Sequence, residues 1–445
     1  MVARAEVAGR RRHAGPSSWS GRDTLIAAIV VALTGIASLS WIYGTRPHLS
    51  VIRSDGVGYY MYLPQIILRH DPAFRTIGRE TPQRRADLRV RRDPVTGRYV
   101  ELYQVGEAVL LLPFFAGAHV AAVVTGAPRT GVSPPYQAGV AAAGLVFLVV
   151  GVVFLSRLLA SLFSRRTVGF TLVAVVFGTI LFHYGTFENS FSHIYSFAVY
   201  SIVLVAVRWW TRSPSAGSSA VVGALCGLFV LIRLTNVILL LAALAFVLYE
   251  LRAIGARSAL RSHRWDIGIA GVSAAAVFSP QSILWKLETG HWFVDSYRYS
   301  GVGFDFLHPH VLDALFSVRK GLFFWSPLLL LCCVGLVSLR RYDRGLAYGA
   351  AVAVPINAYV ISSWREWAYG LALGQRAFVE TFPLFALGFA ALVESSTGAR
   401  RRVVLGVSAV LVALSILVMV RYWQHLVPED RATWHSFVRA LLGQK

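Results

Sequence analysis

Apolar residues run through this chain in long blocks, separated by short polar and mostly basic connections. The blocks lie near 24–43, 137–158, 168–186, 191–209, 219–233, 236–250, 266–287, 322–339, 345–363, 377–394 and 402–422. Most come close to or reach the roughly 17–25 residues that a helix needs to cross a bilayer. No period-two alternation of the β-barrel kind is visible. The pattern predicts an all-α fold, a polytopic transmembrane helix bundle of about 11–13 spans. A long first loop, 44–136, would carry interfacial or re-entrant helices, and a second would occupy 288–321. The stretch 219–250 reads as two short helices turning at "RLTN" (233–236). The apolar stretch 107–126, with Glu107, Pro113 and His119, reads either as a re-entrant or interfacial segment or as one more crossing.

Composition agrees. Of 445 residues 56% are hydrophobic, with mean hydropathy +0.58, more apolar than a soluble domain of this size. The net charge of +21 comes from 43 Lys and Arg, nearly all Arg, against 22 acids. On a soluble protein that excess would suggest nucleic acid. Here the basic residues lie in connections between spans, where topology and anionic lipid head groups account for them and no nucleic-acid partner is expected. Cys226, Cys332 and Cys333 all fall in expected spans and show neither disulfide nor metal spacing. Residues 1–23 read as a disordered cytoplasmic tail. The first apolar block is too long for the core of a cleaved signal.

Basic clusters stay in the cytoplasm. Arg10–Arg12, Arg165-Arg166, Arg208 to Arg212, Arg252 to Arg264, Arg340 to Arg344 and Arg400 to Arg402 fall on one side if 219–250 is a hairpin and 107–126 leaves the parity unchanged. The outer face then holds 44–136, 187–190, 233–236, 288–321, 364–376 and the tail 423–445. Residues 44–103 disobey the rule, with 11 Arg and 6 acids; it is weakest for loops of about this length.

Ionisable groups at the mouths of spans are the candidates for chemistry. In "IRSDGVGYYMYLP" (52–64), Asp55 reads either as a helix N-cap between turn glycines or as a general base whose pKa partial burial would raise. Both glycines would suit close approach of a bulky ligand. Tyr59 sits in the same stretch. In "GTFENSFSHIYSF" (185–197), Glu188 and Ser192 would share a helical face beside His193; a polar helix start is the plainer reading. Arg233 in "RLTN" either snorkels or binds phosphate. The loop 287–327 offers Tyr297, Asp305, Arg319 and Lys320. The stretch 362–383 places Trp364 and Arg376 in an aromatic belt or on a sugar- and phosphate-binding rim. Carboxylates are scarce in mid-span and the two halves do not match, which argues against a proton-coupled transporter. Nothing demands a cofactor. A divalent metal shared by Asp55 and Glu188 is compatible with the sequence but not required by it, and no nucleotide-binding loop is visible.

The motifs "SDGVGYYMYLP", "ELYQVGEAVLLLPFF", "FENSFSHIYSF", "RLTN", "SYRYSGVGFDF", "LFSVRKGLFFWSPLL" and "GQRAFVETFPLFALG", in that order over residues 52–389, resemble the GT-C superfamily of integral-membrane glycosyltransferases. The chain is most similar to bacterial relatives of the protein-mannosyltransferase and aminoarabinose-transferase group. The resemblance implies one transferase domain over 24–422, in the cytoplasmic membrane, with its active site on the outer face. It implies a polyprenyl-phosphate-linked sugar as donor and a glycan, lipid or protein hydroxyl as acceptor. Asp55 would act as the acceptor-side acid, with Glu188 and His193 as further catalytic candidates. Tyr59, Tyr103, Arg233, Asn236, Tyr297, Asp305, Arg319, Lys320, Trp364 and Arg376 would bind substrate. Relatives often carry a phosphate-contacting basic residue where this chain has Leu102-Tyr103, so Arg98, Arg233 or Arg319 would have to replace it. The alternative functions are a lipid-linked glycan transporter or flippase, or a glycan ligase.

Overall fold

The structure, a computed structural model, describes residues 19–77, 80–252, 255, 258 and 261–444. The expected tail lies largely outside these residues, as do Arg10–Arg12 and part of the Arg252 to Arg264 cluster. The chain forms the all-α bundle that its apolar blocks predict. Among the described residues, nine helical segments are long and apolar enough to cross a membrane, and two shorter apolar helices accompany them. This is a multi-pass membrane protein.

Helix α1 (Gly21–Thr45) starts with a capping box between Ser20 and Asp23. After α2 (Asp55–Leu63), which runs on as a single π-turn through Leu68, come β1 (Val90–Arg92) and β2 (Tyr99–Glu101). Helices α3 (Gly106–Thr125), α4 (Pro134–Ala160), α5 (Arg165–Phe177), α6 (Leu181–Thr186), α7 (Ser192–Arg212), α8 (Ala216–Ile232), α9 (Leu240–Leu251) and α10 (Arg264–Thr289) follow. The bundle is completed by α11 (Leu328–Leu339), α12 (Arg344–Ser362), α13 (Phe382–Ser395), α14 (Gly398–Trp423) and α15 (Trp434–Leu441). Helix α7 and the segment Arg376–Ser395 are the most enclosed, whereas α1, α10 and α14 turn most of their surface outward. Small residues allow the tightest packing: Gly335 of α11 and Gly388 of α13 abut, leaving no room for a Cβ on either.

Polar contacts divide the bundle into two ends. Asp23 meets Arg165 at 2.6 Å, Ser164 donates to Glu394 at 2.7 Å, Arg208 pairs with Asp343, and Ser219 donates to Asp266 at 2.9 Å. These contacts gather Arg165-Arg166, Arg208 to Arg212, Arg264 and Arg340 to Arg344 at one end. Charge reading of the sequence places them together in the same way. The expected hairpin at 219–250 also forms. Helix α8 stops at Ile232, Arg233 is extended, and a 3₁₀ turn over Leu234–Ile238 leads into α9.

Two features depart from the sequence reading, and a third bears on an alternative it left open. First, the blocks 168–186 and 322–339 are not single helices. The first breaks at Gly178–Ile180 and the second at Ser326-Pro327, where proline has no N–H to continue a helix. The two breaks face each other, with the Ile180 N–H 3.4 Å from the Ser326 hydroxyl. Second, the first loop contains a hairpin. Val90 pairs with Glu101 and Arg92 with Tyr99, around a turn in which Asp93 accepts from Val95 N–H (2.9 Å) and the Thr96 hydroxyl (2.7 Å). Third, α3 is continuous, yet both of its ends abut the same segment, 55–68. The Tyr62 hydroxyl donates to the Tyr103 carbonyl just before α3, and the Tyr60 hydroxyl to the Gly131 carbonyl just after it.

Candidate active site

The end opposite the basic clusters collects the stretches around 52–64, 99–106, 187–193, 233–236, 296–304 and 364–380. Helix α2 begins at Asp55 itself. Ser54 precedes it with φ 50° and makes no capping bond. The Asp55 carboxylate does not cap either. Oδ2 pairs with Arg376, Oδ1 lies 3.4 Å from Arg89 Nη2, and the Tyr103 side chain lies beside the same carboxylate. Burial alone would raise this group, but the charges of Arg376 and Arg89 outweigh it and hold Asp55 below the ordinary carboxylate value. The expectation of a burial-raised base is thus corrected: Asp55 is a paired, ionised carboxylate. The two glycines serve a different purpose from the one expected. Gly56 packs on Ser190 and Gly58 on Tyr103 and Glu101, each too closely for a Cβ, so they seat α2 against protein rather than against a ligand.

Arg376 opens a 3₁₀ turn, Arg376–Thr381, that leads into α13. Its guanidinium lies 4.8 Å from the centroid of the Phe191 ring. One nitrogen serves Asp55. Nε and Nη1 are buried and have no hydrogen-bond partner among the described residues. Four residues on, Glu380 contacts His193 Nδ1 at 3.1 Å and Arg233 Nε at 3.4 Å. Arg233 Nη1 lies 3.2 Å from both ring nitrogens of His193. Asn236 fixes the hairpin that carries Arg233, donating to Ser196 (3.0 Å) and to the Phe229 carbonyl (2.8 Å). Arg233, Asn236, Tyr369 and Glu380 line one narrow cavity.

An aromatic wall leads away from Asp55. Ring centroids step from Tyr59 to Tyr103 (4.4 Å), to Tyr297 (5.9 Å), to Trp364 (5.1 Å) and to Phe304 (4.9 Å). The structure therefore brings Asp55, Tyr59, Tyr103, His193, Arg233, Asn236, Tyr297, Trp364 and Arg376 to one place.

Four expected residues are engaged elsewhere. Glu188 does not share a helical face with Ser192, because it sits in the turn before α7. His183 Nε2 lies 3.1 Å from its Oε2, and Tyr422 donates to its Oε1 at 3.2 Å. Trp423 donates to His183 Nδ1 at 2.9 Å, which places the imidazole proton on Nε2, facing Glu188. Burial opposes ionisation of Glu188, but His183 and Arg53 outweigh it and hold the carboxyl below its ordinary value. Arg319 forms a two-nitrogen ion pair with Asp430 (2.9 and 3.1 Å). Lys320 is buried and donates to the carbonyls of Ala372 and Glu429, so it ties the Arg376 loop to the segment after α14. Asp305 accepts from the Leu307 and His308 N–H groups, both at 3.2 Å, and shapes a surface turn. No group of three or more His, Cys, Asp or Glu suited to a metal occurs among the described residues.

Sequence reasoning missed Glu380 and Arg89. Glu380 carried a signal, a carboxylate inside an apolar run four residues after Arg376. Arg89 carried none, being one of 11 arginines in 44–103. No family model, characterised protein or solved structure matches the chain.

Proposed function

We propose that the chain is a membrane glycosyltransferase that moves a sugar from a polyprenyl-phosphate carrier to an acceptor hydroxyl, at a site on the outer face of the cytoplasmic membrane. One observation carries the reading: a carboxylate and a buried guanidinium with two open nitrogens stand side by side at the end of the bundle away from the basic clusters. That pairing supplies what the reaction needs. The acceptor oxygen attacks the anomeric carbon while its proton passes to Asp55. The bond from that carbon to the phosphate oxygen breaks, and its electron pair leaves with the carrier phosphate. One displacement inverts the anomeric centre. Phosphate needs no strong general acid to leave, unlike the alkoxide expelled in glycoside hydrolysis. It needs positive charge where negative charge develops, and Arg376, with Arg233 behind it, offers that charge. Arg376 replaces Arg319 and Lys320 in this role because both of those are already satisfied by protein partners. The aromatic wall suits sugar faces.

Reconstituted protein given a polyprenyl-phosphate sugar labelled in the sugar tests the reading. Released polyprenyl phosphate, with label in an acceptor, is the expected outcome. Transbilayer movement of the intact lipid-linked sugar, with no bond broken, would favour the flippase alternative. Sidedness is tested separately with single cysteines. One at Arg165 should resist an impermeant thiol reagent in intact cells, and one at Val95, at the exposed hairpin turn, should react.

A further inference from the structure

We propose that the cleft between the α1–α2 connection, the segment 84–89 and the start of α4 is the acceptor subsite, and that it selects an anionic glycan. The assignment to an acceptor rests on the transferase reading; the ligand class rests on the cleft itself.

The cleft holds about 610 Å³ and is lined by Ser54, Arg84, Asp87, Arg89 and Gln137 together with apolar groups such as Ile52 and Val57. It borders the Asp55 carboxylate through Ser54 and Arg89, which line it. The connection is Arg89, whose guanidinium touches Asp55 (3.4 Å), the Ser54 carbonyl (3.3 Å) and the Ser54 hydroxyl (3.4 Å). A hydroxyl held beside Ser54 and Arg89 would stand next to Asp55.

Backbone geometry marks the same spot. Ser54 and Arg89, which touch, are both non-glycine residues in the left-handed region, with φ 50° and 63°. Such conformations are strained and are enriched at ligand sites; His70, Phe74, Tyr369, His425 and Arg431 also adopt them.

Charge sets the class. Arg89 is committed to Asp55. Asp87 accepts from Gln83 at 3.3 Å. Arg84 is exposed, and its guanidinium has no ion pair among the described residues. The surrounding segment 44–103 holds 11 Arg against 6 acids, on the end of the bundle where topology rules give no reason for that excess. A positive field over a cleft concentrates anions, and a planar guanidinium suits a carboxylate or phosphate on a sugar. An anionic acceptor accounts for both the excess and the free Arg84.

The probes are tetragalacturonate, which is anionic, and maltotetraose, which is neutral, each titrated calorimetrically into the full chain in detergent. The wild type should bind tetragalacturonate about 10-fold more tightly, one charge-assisted contact's worth. Arg84→Gln should remove most of that preference, whereas Arg92→Gln, an exposed arginine of the hairpin outside the cleft, should leave it intact. Thermal unfolding of each variant checks folding. Equal affinity for the two probes, or a preference that Arg92→Gln reduces as much as Arg84→Gln, would overturn the assignment by reducing it to general attraction to a basic surface. A preference that follows Arg84 in a protein that transfers no sugar would leave the subsite standing and remove the transferase reading instead.

Discussion

Asp55 and Glu188 are both ionised carboxylates at the same end of the bundle, and both are held below their ordinary pKa by nearby cationic or imidazole groups. Their surroundings differ. Glu188 is enclosed, with its oxygens on Tyr422 and His183 and with Trp423 fixing the imidazole behind it. Asp55 keeps 19% of its side chain exposed, sits beside a cleft, and is the one carboxylate ion-paired with Arg376 among the described residues. What separates the two carboxylates is exposure and the adjoining cleft, not the charge or the shift, because buried atoms without a hydrogen-bond partner among the described residues lie beside both: Nε and Nη1 of Arg376 by Asp55, and His183 Nε2 with Oε2 of Glu188 itself. We propose that Glu188 is a positioning residue rather than a catalytic one. It fixes the turn whose Ser190 receives Gly56, and through it the start of α2.

Substitutions can break this contrast. The largest effect should come from Arg376→Gln. Loss of a charge placed on the leaving group typically costs about 10²–10³ in turnover, read as kcat in the transfer assay. A loss of less than about tenfold would mean that Arg376 only shields Asp55. The same variant sharpens the pH argument. Because the folded pKa of Asp55 is depressed, its ion pairs add stability above the unfolded value, about 3.9, and that stability is lost as pH falls through the folded value. The acid limb of kcat/KM should therefore lie below about pH 4 in the wild type. It should move upward in Arg376→Gln, where Arg89, Tyr103 and His193 are left to oppose burial without the largest opposing charge. An unmoved limb would show that another group titrates.

Next in size, Glu188→Gln should lower stability by about 1–3 kcal/mol, the cost of a disrupted buried charge-assisted contact. Turnover should change only a few-fold. Thermal unfolding in detergent and the transfer assay, run on one preparation, check both. A stable protein with abolished turnover would return Glu188 to the catalytic list. Trp423→Phe, which removes the N–H to His183 Nδ1 and part of a buried ring packed on Trp41, Phe182 and His183, should cost about 1–3 kcal/mol with activity retained.

The bundle was legible because apolar block length and arginine placement are one-dimensional signals. The α8–α9 hairpin was readable from Asn236 and Arg233, polar residues that an uninterrupted span would not hold. The breaks at Gly178 and Ser326 were not. Each is stabilised by the other across the bundle, and neither stretch stops being apolar. The hairpin at 90–101 had its turn residues, Asp93, Pro94 and Gly97, but they were read as part of a helical loop. In the site, Asp55, Arg376 and the tyrosines were identifiable as polar or aromatic residues at the mouths of spans. Their partners were not: the ion pairs Arg319–Asp430 and Glu188–His183 join residues whose proximity depends on tertiary packing alone. That is why Arg319 and Lys320, outward-facing cations by charge reading, turned out to be ties to the segment after α14.

The central claim is that Asp55 accepts the proton of the attacking hydroxyl. The most direct test is Asp55→Asn, assayed for donor binding and for sugar transfer on the same sample. Because the carboxylate caps no helix end, asparagine should leave α2 formed, and the amide oxygen can still accept from Arg376, but the side chain cannot take up a proton. The account predicts a folded protein destabilised by about 1–3 kcal/mol through its lost ion pairs, donor affinity largely kept, and turnover down by about 100-fold or more. A stable Asp55→Asn protein that transfers sugar at a near-normal rate would contradict it.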